Sequence, residues 1–399
     1  MHCVVLGGGG AMGRITVRAL AEDARVTRVT VADLSEAAAQ RTIDWLERGR
    51  EKAVAAACDV RDAEGLARML SGSDVVLNAT DYPFNLEVMR AALTARIPYA
   101  DLGGLFHMTR KQYELHDAFA EAGLTAVLGI GSTPGITNIL ARVAADQLDT
   151  VERLDVRIGS ADLRTGDVPF APPYSIRTIF DECTLEPMVF ADGKTRAVPP
   201  MTGQEPITFP APVGPVTAMY TLHSEVALFP VSFGERGLKH ASFKIAFPPE
   251  FLDQLRLLVD LGLADTSAID VRGTRKGQLA RVAPREVLVA LLQQRASTLP
   301  AGDPDDCDVL RVVAAGTKNG VPVELTEDMV VLPYKPWGIA AGDLDTGVPL
   351  AIAGMMLASG AARMPGAHGA ERVFDPAAFL RELAHYGMHA QETLTRSLS

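Results

Sequence analysis

Gly8, Gly10 and Gly13 carry the first chemical signal in this chain. They follow the apolar run Cys3–Leu6 and precede a helix-forming stretch, in the G-x-G-x-x-G spacing of a dinucleotide-binding turn. Gly8 permits the tight turn, Gly10 lets a pyrophosphate approach the backbone, and Gly13 lets the helix pack on the strand. Ala11 and Met12 open that helix, whose free N–H groups and positive dipole end face the anion. A second signal is Asp33, which ends the β-branched run from Val29 and lies twenty positions after Gly13. An acid there is expected to bond the adenosine ribose. Its carboxylate would accept from both ribose hydroxyls of NAD. It would repel the extra phosphate of NADP by roughly 1–4 kcal/mol at ~4 Å, according to the local dielectric. NAD is therefore expected in preference to NADP.

The elements that must position these residues alternate. Strands are expected at Cys3–Leu6, Val26–Asp33, Ala53–Asp59, Ser73–Ala79, Pro98–Leu102 and Leu124–Ile130. Helices are expected at Glu36–Arg48, Ala63–Leu70, Leu86–Ala95 and Thr109–Ala122. Such alternation predicts an α/β fold, a Rossmann-type doubly wound parallel sheet that binds its ligand at the C-terminal strand ends. Those ends hold Gly8, Asp33, Asp59, Asn78-Ala79-Thr80, Asp101-Leu102-Gly103-Gly104 and Gly131-Ser132-Thr133-Pro134-Gly135. Asp59 and Val60 should flank the adenine. Asn78, Ala79 and Thr80 should lie beside the nicotinamide ribose, with Leu102 and Gly103 completing the cofactor site.

The pattern changes near residue 150. Residues 165–215 are rich in proline and read as loops. Strands are expected at Arg153–Ser160, Thr217–Leu222, Ala241–Phe247, Val309–Gly316 and Val321–Val331, the last two joined by a hairpin at Asn319-Gly320. This predicts a second, α+β domain over 148–344 for substrate and oligomer contacts. The tail returns to helical pattern at Gly347–Ser359 and Ala377–Gly387. It should cross back, so that 345–399 completes the dinucleotide-binding domain of 1–147.

Several motifs then occur in order. They are the glycine loop, Tyr99-Ala100-Asp101-Leu102-Gly103-Gly104, Ser132-Thr133-Pro134-Gly135-Ile136-Thr137-Asn138, Leu185-Glu186-Pro187-Met188 with Asp192-Gly193-Lys194, and Gly273 to Val287 before a helix. Together they resemble the saccharopine dehydrogenase family, and within it the lysine 6-dehydrogenase type. The resemblance implies a two-domain, oligomeric, nicotinamide-dependent enzyme acting on a C–N bond of a lysine-like amino acid. One segment departs from it. Where that type reads H-T-S-G-G-T, this chain has Tyr220-Thr221-Leu222-His223-Ser224-Glu225, and a titratable His223 would change the shape of the pocket.

Oxidising an amine to an imine needs a hydride acceptor and a base, and proton transfer at neutral pH suits a histidine or a tuned carboxylate. His223 is the expected proton carrier. Glu225 would orient it or bind the substrate amine, Asp101 at its strand end could hold the amine or simply cap a turn, and Tyr220 would line the pocket. A substrate carboxylate calls for Arg or Lys. Period-2 alternation puts His240, Ser242 and Lys244 on one strand face, and Lys244 falls where the family has a basic strand residue. Lys244 is thus expected in the pocket, with Arg177 as a second candidate.

Composition sets the limits. The 399 residues carry a net charge of −11, are 48% apolar and 22% charged. Nucleic acid and membrane are therefore not expected as partners, and an anionic substrate would need local basic residues. The four cysteines are scattered, without a C-x-x-C pair, so neither a metal nor a disulfide framework is expected, and a reducing cytoplasm is. The leading expectation is an NAD-dependent dehydrogenase of lysine or saccharopine type, a homo-oligomer acting on a small amino-acid or amine substrate. The alternatives are reductive condensation of an aldehyde with a diamine, as in carboxynorspermidine synthesis, and a protein that binds NAD without turnover.

Overall fold

The computed structural model describes residues 1–164, 170, 172–272, 279–296 and 302–396. The start of the Gly273–Val287 motif and residues 165–169 and 171 of the proline-rich stretch lie outside the described residues. The first half contributes β1 (His2–Leu6), β2 (Arg28–Asp33), β3 (Ala53–Ala57), β4 (Val75–Asn78), β5 (Tyr99–Asp101) and β6 (Thr125–Val127). The middle contributes β7 (Thr150–Asp162), β8 (Met188–Ala191), β9 (Lys194–Ala197), β10 (Glu205–Thr208), β11 (Pro215–Tyr220), β12 (His240–Ala246), β13 (Ile269–Arg272), β14 (Leu279–Val282), β15 (Asp306–Lys318) and β16 (Val321–Val331). The tail adds β17 (Gly366–His368) and β18 (Ala390–Arg396).

The first sheet is parallel throughout, in the order β17-β6-β5-β4-β1-β2-β3. Its strand order reverses between β1 and β4, and a crevice at that switch point is where a doubly wound sheet binds its ligand. The β-branched runs of β1, β2 and β4 are buried on both faces, as a parallel sheet covered by helices requires. The helix expected at Thr109–Ala122 starts earlier and breaks into Leu105–Tyr113 and His116–Glu121.

The second sheet is mixed, in the order β10-β11-β12-β7-β15-β16-β18, with β8 and β9 attached beside β12. Strand alternation divides it into two faces. Leu154, Val156, Phe243, Leu310 and Val312 belong to the apolar core shared with the first sheet. Arg157, Ser242, Lys244 and Arg311 lie on the other face. The β15–β16 hairpin turns at Asn319 (φ 52°) and Gly320 (φ 74°), the left-handed conformations that Asn-Gly tolerates.

The tail divides between the sheets. The helix Ala341–Ala358 packs on the helix Ala11–Glu22, where Thr16 Oγ1 donates to the Gly347 carbonyl at 2.8 Å, and β17 extends the first sheet. Strand β18, however, pairs with β16 in the second sheet. This corrects the expectation that all of 345–399 belongs with the first domain. The sequence Ala390–Arg396 is too polar to announce a strand, and it is specified by its partner's open edge. Among the described residues no helix is long and apolar enough to cross a membrane.

Candidate active site

The glycine turn is built from the backbone outward. Gly7, not Gly8, takes the left-handed conformation, at φ 71°. The Gly10 N–H donates to the Gly7 carbonyl at 2.9 Å. A Cβ on Gly13 would sit 2.1 Å from the Gly7 oxygen, so the helix from Ala11 can approach β1 only with glycine there. Gly8 packs against Val31 instead. No side chain caps the helix at Gly10, so the N–H groups of Ala11, Met12 and Gly13 are left for an anion.

Asp33 Oδ2 accepts from the Gly9 N–H and Oδ1 from the Ser35 N–H, both at 3.1 Å. The carboxylate is thereby fixed against the glycine turn, where it would meet the ribose of a bound dinucleotide. Asp59 is half-buried and gripped by Arg61 at 2.7 and 2.8 Å, which holds its pKa down to about 2. Val60 is buried next to it. These residues fit a nicotinamide dinucleotide.

At the other end, Ala79 passes against Gly7. Asn78 accepts from Thr80 and donates to Asn85 at 2.9 Å, and Asn85 donates to the Gly103 carbonyl at 3.1 Å. This chain ties the β4 end to the turn after β5. Leu102 lies half-buried beside it, against Gly131.

Asp101 is fully buried, and four donors saturate it. Tyr99 Oη and Gln112 Nε2 bond Oδ2 at 2.7 and 2.5 Å, and the Gly103 and Gly129 N–H groups bond Oδ1 at 2.8 and 2.7 Å. Burial raises its pKa despite these donors. With every lone pair directed inward it cannot hold a substrate amine. The expectation of a catalytic Asp101 is corrected to a strut that joins two turns.

The structure brings His223 and Glu225 together as a pair. Both are buried, and His223 Nδ1 bonds Glu225 Oε2. Glu225 also accepts from Thr137 Oγ1 at 2.9 Å and from Thr133 Oγ1. The His223 ring stacks on Phe243 at 3.8 Å between centroids. Ser224 meets Thr109 at 3.2 Å, which docks this segment of the second domain on the first. Burial pulls the His223 pKa down, but Glu225 outweighs it and the net shift is upward. Burial likewise opposes the ionised Glu225, and His223 with the hydroxyls brings its pKa below the ordinary range. Each group thus favours the charged form of the other.

Further acids flank Ser132 and Thr133. Burial pushes Glu182 up to about 7, where it accepts from Tyr174 Oη at 2.5 Å. Asp345 is buried and accepts from Ser132 Oγ at 3.0 Å, and burial raises its pKa. Asp308 is pushed to about 6 by burial, with Asp306 adding to the rise. Among the described residues no three His, Cys, Asp or Glu side chains converge as a metal site would require.

The basic residues expected here are elsewhere. Lys244 bonds Glu205 at 2.7 Å and lies 4.4 Å over the Tyr220 ring. Tyr220 and Lys244 are register partners on β11 and β12, on the face opposite Phe243. The alternation of His240, Ser242 and Lys244 is correct, but Phe243 points to the first domain and His223 stacks on it. Arg177 is spent on Glu286, with Nε 3.0 Å from Oε1. Lys244, Tyr220 and Arg177 are thus removed from the candidate pocket.

Two family models match in tandem: the saccharopine dehydrogenase NADP binding domain over residues 3–127 and the saccharopine dehydrogenase C-terminal domain over 131–388. The chain belongs to the saccharopine dehydrogenase family. Its fold matches saccharopine dehydrogenase (L-Glu forming) from Saccharomyces cerevisiae with a TM-score of 0.73 and 19% identity, over 99% of both chains. It is 24% identical to a carboxyaminopropylagmatine dehydrogenase from Synechocystis sp., over 99% of this chain and 98% of that one. It is 23% identical to the carboxynorspermidine synthase of Vibrio cholerae, over 97% and 96%. Membership of this family makes the protein a nicotinamide-dependent oxidoreductase.

Within that frame, sequence reasoning missed Thr133, Thr137, Tyr174, Glu182, Asp308 and Asp345. Thr133 and Thr137 were in view, inside the Ser132–Asn138 family motif at the β6 end. The four others sit outside any motif with a chemical reading. Only the packing of Ile176–Thr184, β15 and Ala341–Ala358 around that motif brings them together.

Proposed function

We propose that the protein joins a cationic amine to a short amino-acid aldehyde by reductive condensation, forming a secondary amine, with NADH preferred to NADPH. The observation that carries this reading is the charge of the cleft. Asp345 and Glu225 bond Ser132 and Thr133, Glu182 faces the His223–Glu225 pair, Asp308 faces Asp345, and His223 is the basic side chain among them. Lys244 and Arg177 are committed elsewhere. A cation entering such a site draws these buried acids into their ionised forms, so the site favours a substrate with several positive charges over one with several carboxylates. A saccharopine-like substrate is of the second kind, and a diamine or guanidino-amine is of the first. The names of the Synechocystis and Vibrio cholerae relatives support the same choice.

The bound dinucleotide supplies the hydride. The chain's own residues do the rest. The His223–Glu225 pair takes the proton that the attacking amine gives up. Thr133 and Thr137 hold Glu225 in the rotamer that keeps His223 oriented. Asp33, fixed at the turn, favours ribose hydroxyls over a phosphate, which supports NADH.

The test is a panel of amines (diaminopropane, putrescine, agmatine, lysine), each with aspartate semialdehyde and either reduced dinucleotide, read as loss of nicotinamide absorbance. Turnover with diamines or agmatine, faster with NADH, is expected. Oxidation of lysine by NAD without an aldehyde, or a faster rate with NADPH, would overturn the matching half of the reading.

A further inference from the structure

We propose that Glu182, acting through the hydroxyl of Tyr174, is a second proton-holding group of this site, separate from the His223–Glu225 pair. The proposal rests on the condensation reading above. That reaction moves protons at two atoms. The amine nitrogen must lose one before it attacks the carbonyl carbon. The carbinolamine oxygen must gain one before it can leave. The two atoms differ in position and in the direction of transfer, so a group beside the pair can serve the oxygen while the pair serves the nitrogen.

The geometry supplies the second group. Tyr174 is half-buried, and its Oη is 2.5 Å from Glu182 Oε2. Glu182 is 3% exposed, lies beside His223 and Glu225, and is bonded by that phenol. Its carbonyl accepts the Leu222 N–H at 3.0 Å, which pins the helix Ile176–Thr184 to the residue before His223. The groups that face Glu182 are His223, Tyr174, Glu225 and Asp181, and Asp308 and Cys183 act on Tyr174. Arg285 is held by Asp181 at 2.6 Å. Burial, with the negative neighbours Glu225 and Asp181, raises the pKa of Glu182 to about 7, so it holds a proton below neutrality.

The step balances. Tyr174 gives its hydroxyl proton to the carbinolamine oxygen and takes the carboxyl proton of Glu182. The C–O bond breaks, water leaves, and the nitrogen lone pair forms the C=N bond of an iminium ion. Glu182 is left as a carboxylate beside His223. Reduction of the iminium uses the reduced dinucleotide, and solvent reloads Glu182. Because Glu182 acts through another residue, it is a positioning residue in this sense.

Two measurements test this. The first is the pH profile of kcat for Glu182→Gln, Tyr174→Phe and the exposed control Glu186→Gln, with the amine–aldehyde pair turned over fastest in the panel. Glu182 must be protonated, so wild-type kcat should fall as pH rises through about 7. Glu182→Gln and Tyr174→Phe should lower kcat about 100-fold and lose that limb, with the KM for amine barely changed. Glu182→Asp should restore part of the rate with the limb displaced. The second is the infrared spectrum of the resting enzyme below and above neutrality. In the difference between the two spectra, a protonated-carboxyl band that titrates near 7 should be present in wild type and in Glu186→Gln and absent in Glu182→Gln, while the bands of other buried acids such as Glu327 persist. Unchanged profiles, or no such band, would overturn the proposal. No turnover on the whole panel, with the band present, would instead overturn the condensation reading.

Discussion

Replacing Asp101 separates a structural carboxylate from a catalytic one. In Asp101→Ala the Gly103 and Gly129 N–H groups lose their acceptor and cannot turn away, because each belongs to a fixed backbone turn. A buried donor left unsatisfied costs about 1–3 kcal/mol, so these two cost roughly 2–6 kcal/mol. Tyr99 and Gln112 can rotate and add less. Relief of a buried negative charge offsets part of this. Against a typical total of about 5–15 kcal/mol, the loss is large.

Asp101→Asn should behave differently. The amide oxygen can keep both backbone donors. Its NH2 group then faces Gln112, whose Oε1 is buried without a partner and becomes the acceptor if that amide flips. The expected cost is about 1 kcal/mol. Urea melts of the three proteins give the stabilities, and dinucleotide titration with steady-state rates gives function. We expect Asp101→Ala to lose stability and dinucleotide affinity together, and Asp101→Asn to keep kcat within a few-fold. An Asp101→Asn enzyme that is stable, binds dinucleotide normally and has lost about 100-fold in kcat would refute the strut and restore a proton-handling role.

Three further outcomes follow from the geometry. Glu225→Gln should lower the His223 pKa and cut kcat about 100-fold. A base whose folded pKa is raised stabilises the fold at low pH and loses that contribution as pH rises through the folded value; histidine NMR titration with melts should show this in wild type and not in the variant. Lys244→Ala should leave the KM for amine unchanged and cost about 1–2 kcal/mol, mostly the contact with Tyr220, because Arg157 remains to pair Glu205; a raised KM would return Lys244 to the pocket. Glu327 is buried opposite Glu392 on β18, and burial with that neighbour raises its pKa from 4.5 to about 8. The folded state holds this proton after the unfolded state has lost it, so stability should fall between those two values by about 1.4 kcal/mol per pH unit. Glu327→Gln should flatten that slope in urea melts, and an unaltered slope would count against the pair.

What the sequence discloses and what it hides divide along physical lines. Gly13, Asp33 and the Asn319-Gly320 turn are legible because local backbone geometry dictates each residue type within a few positions. Strand alternation is legible too, and it groups His240, Ser242 and Lys244 correctly. It cannot say which face of β12 turns inward, since that depends on the apolar side of the whole second sheet. Phe243 decides it, and His223 follows Phe243 while Lys244 does not. Asp101 misleads for a related reason. An acid at a strand end reads as cleft-facing until its donors are known, and the Gly129 donor lies 28 positions away. The acids of the cleft are the least legible, because Glu182, Asp308 and Asp345 come from three elements with no shared motif. Yet one inference from composition bears on them directly. A net charge of −11 means that an anionic substrate must be met by local basic side chains. Lys244 and Arg177 are spent in ion pairs outside the cleft, and carboxylates stand where a basic residue was expected. The whole chain and the cleft are therefore both acidic in composition. That agreement, more than any single residue, is why a cationic amine fits this site better than a polycarboxylate.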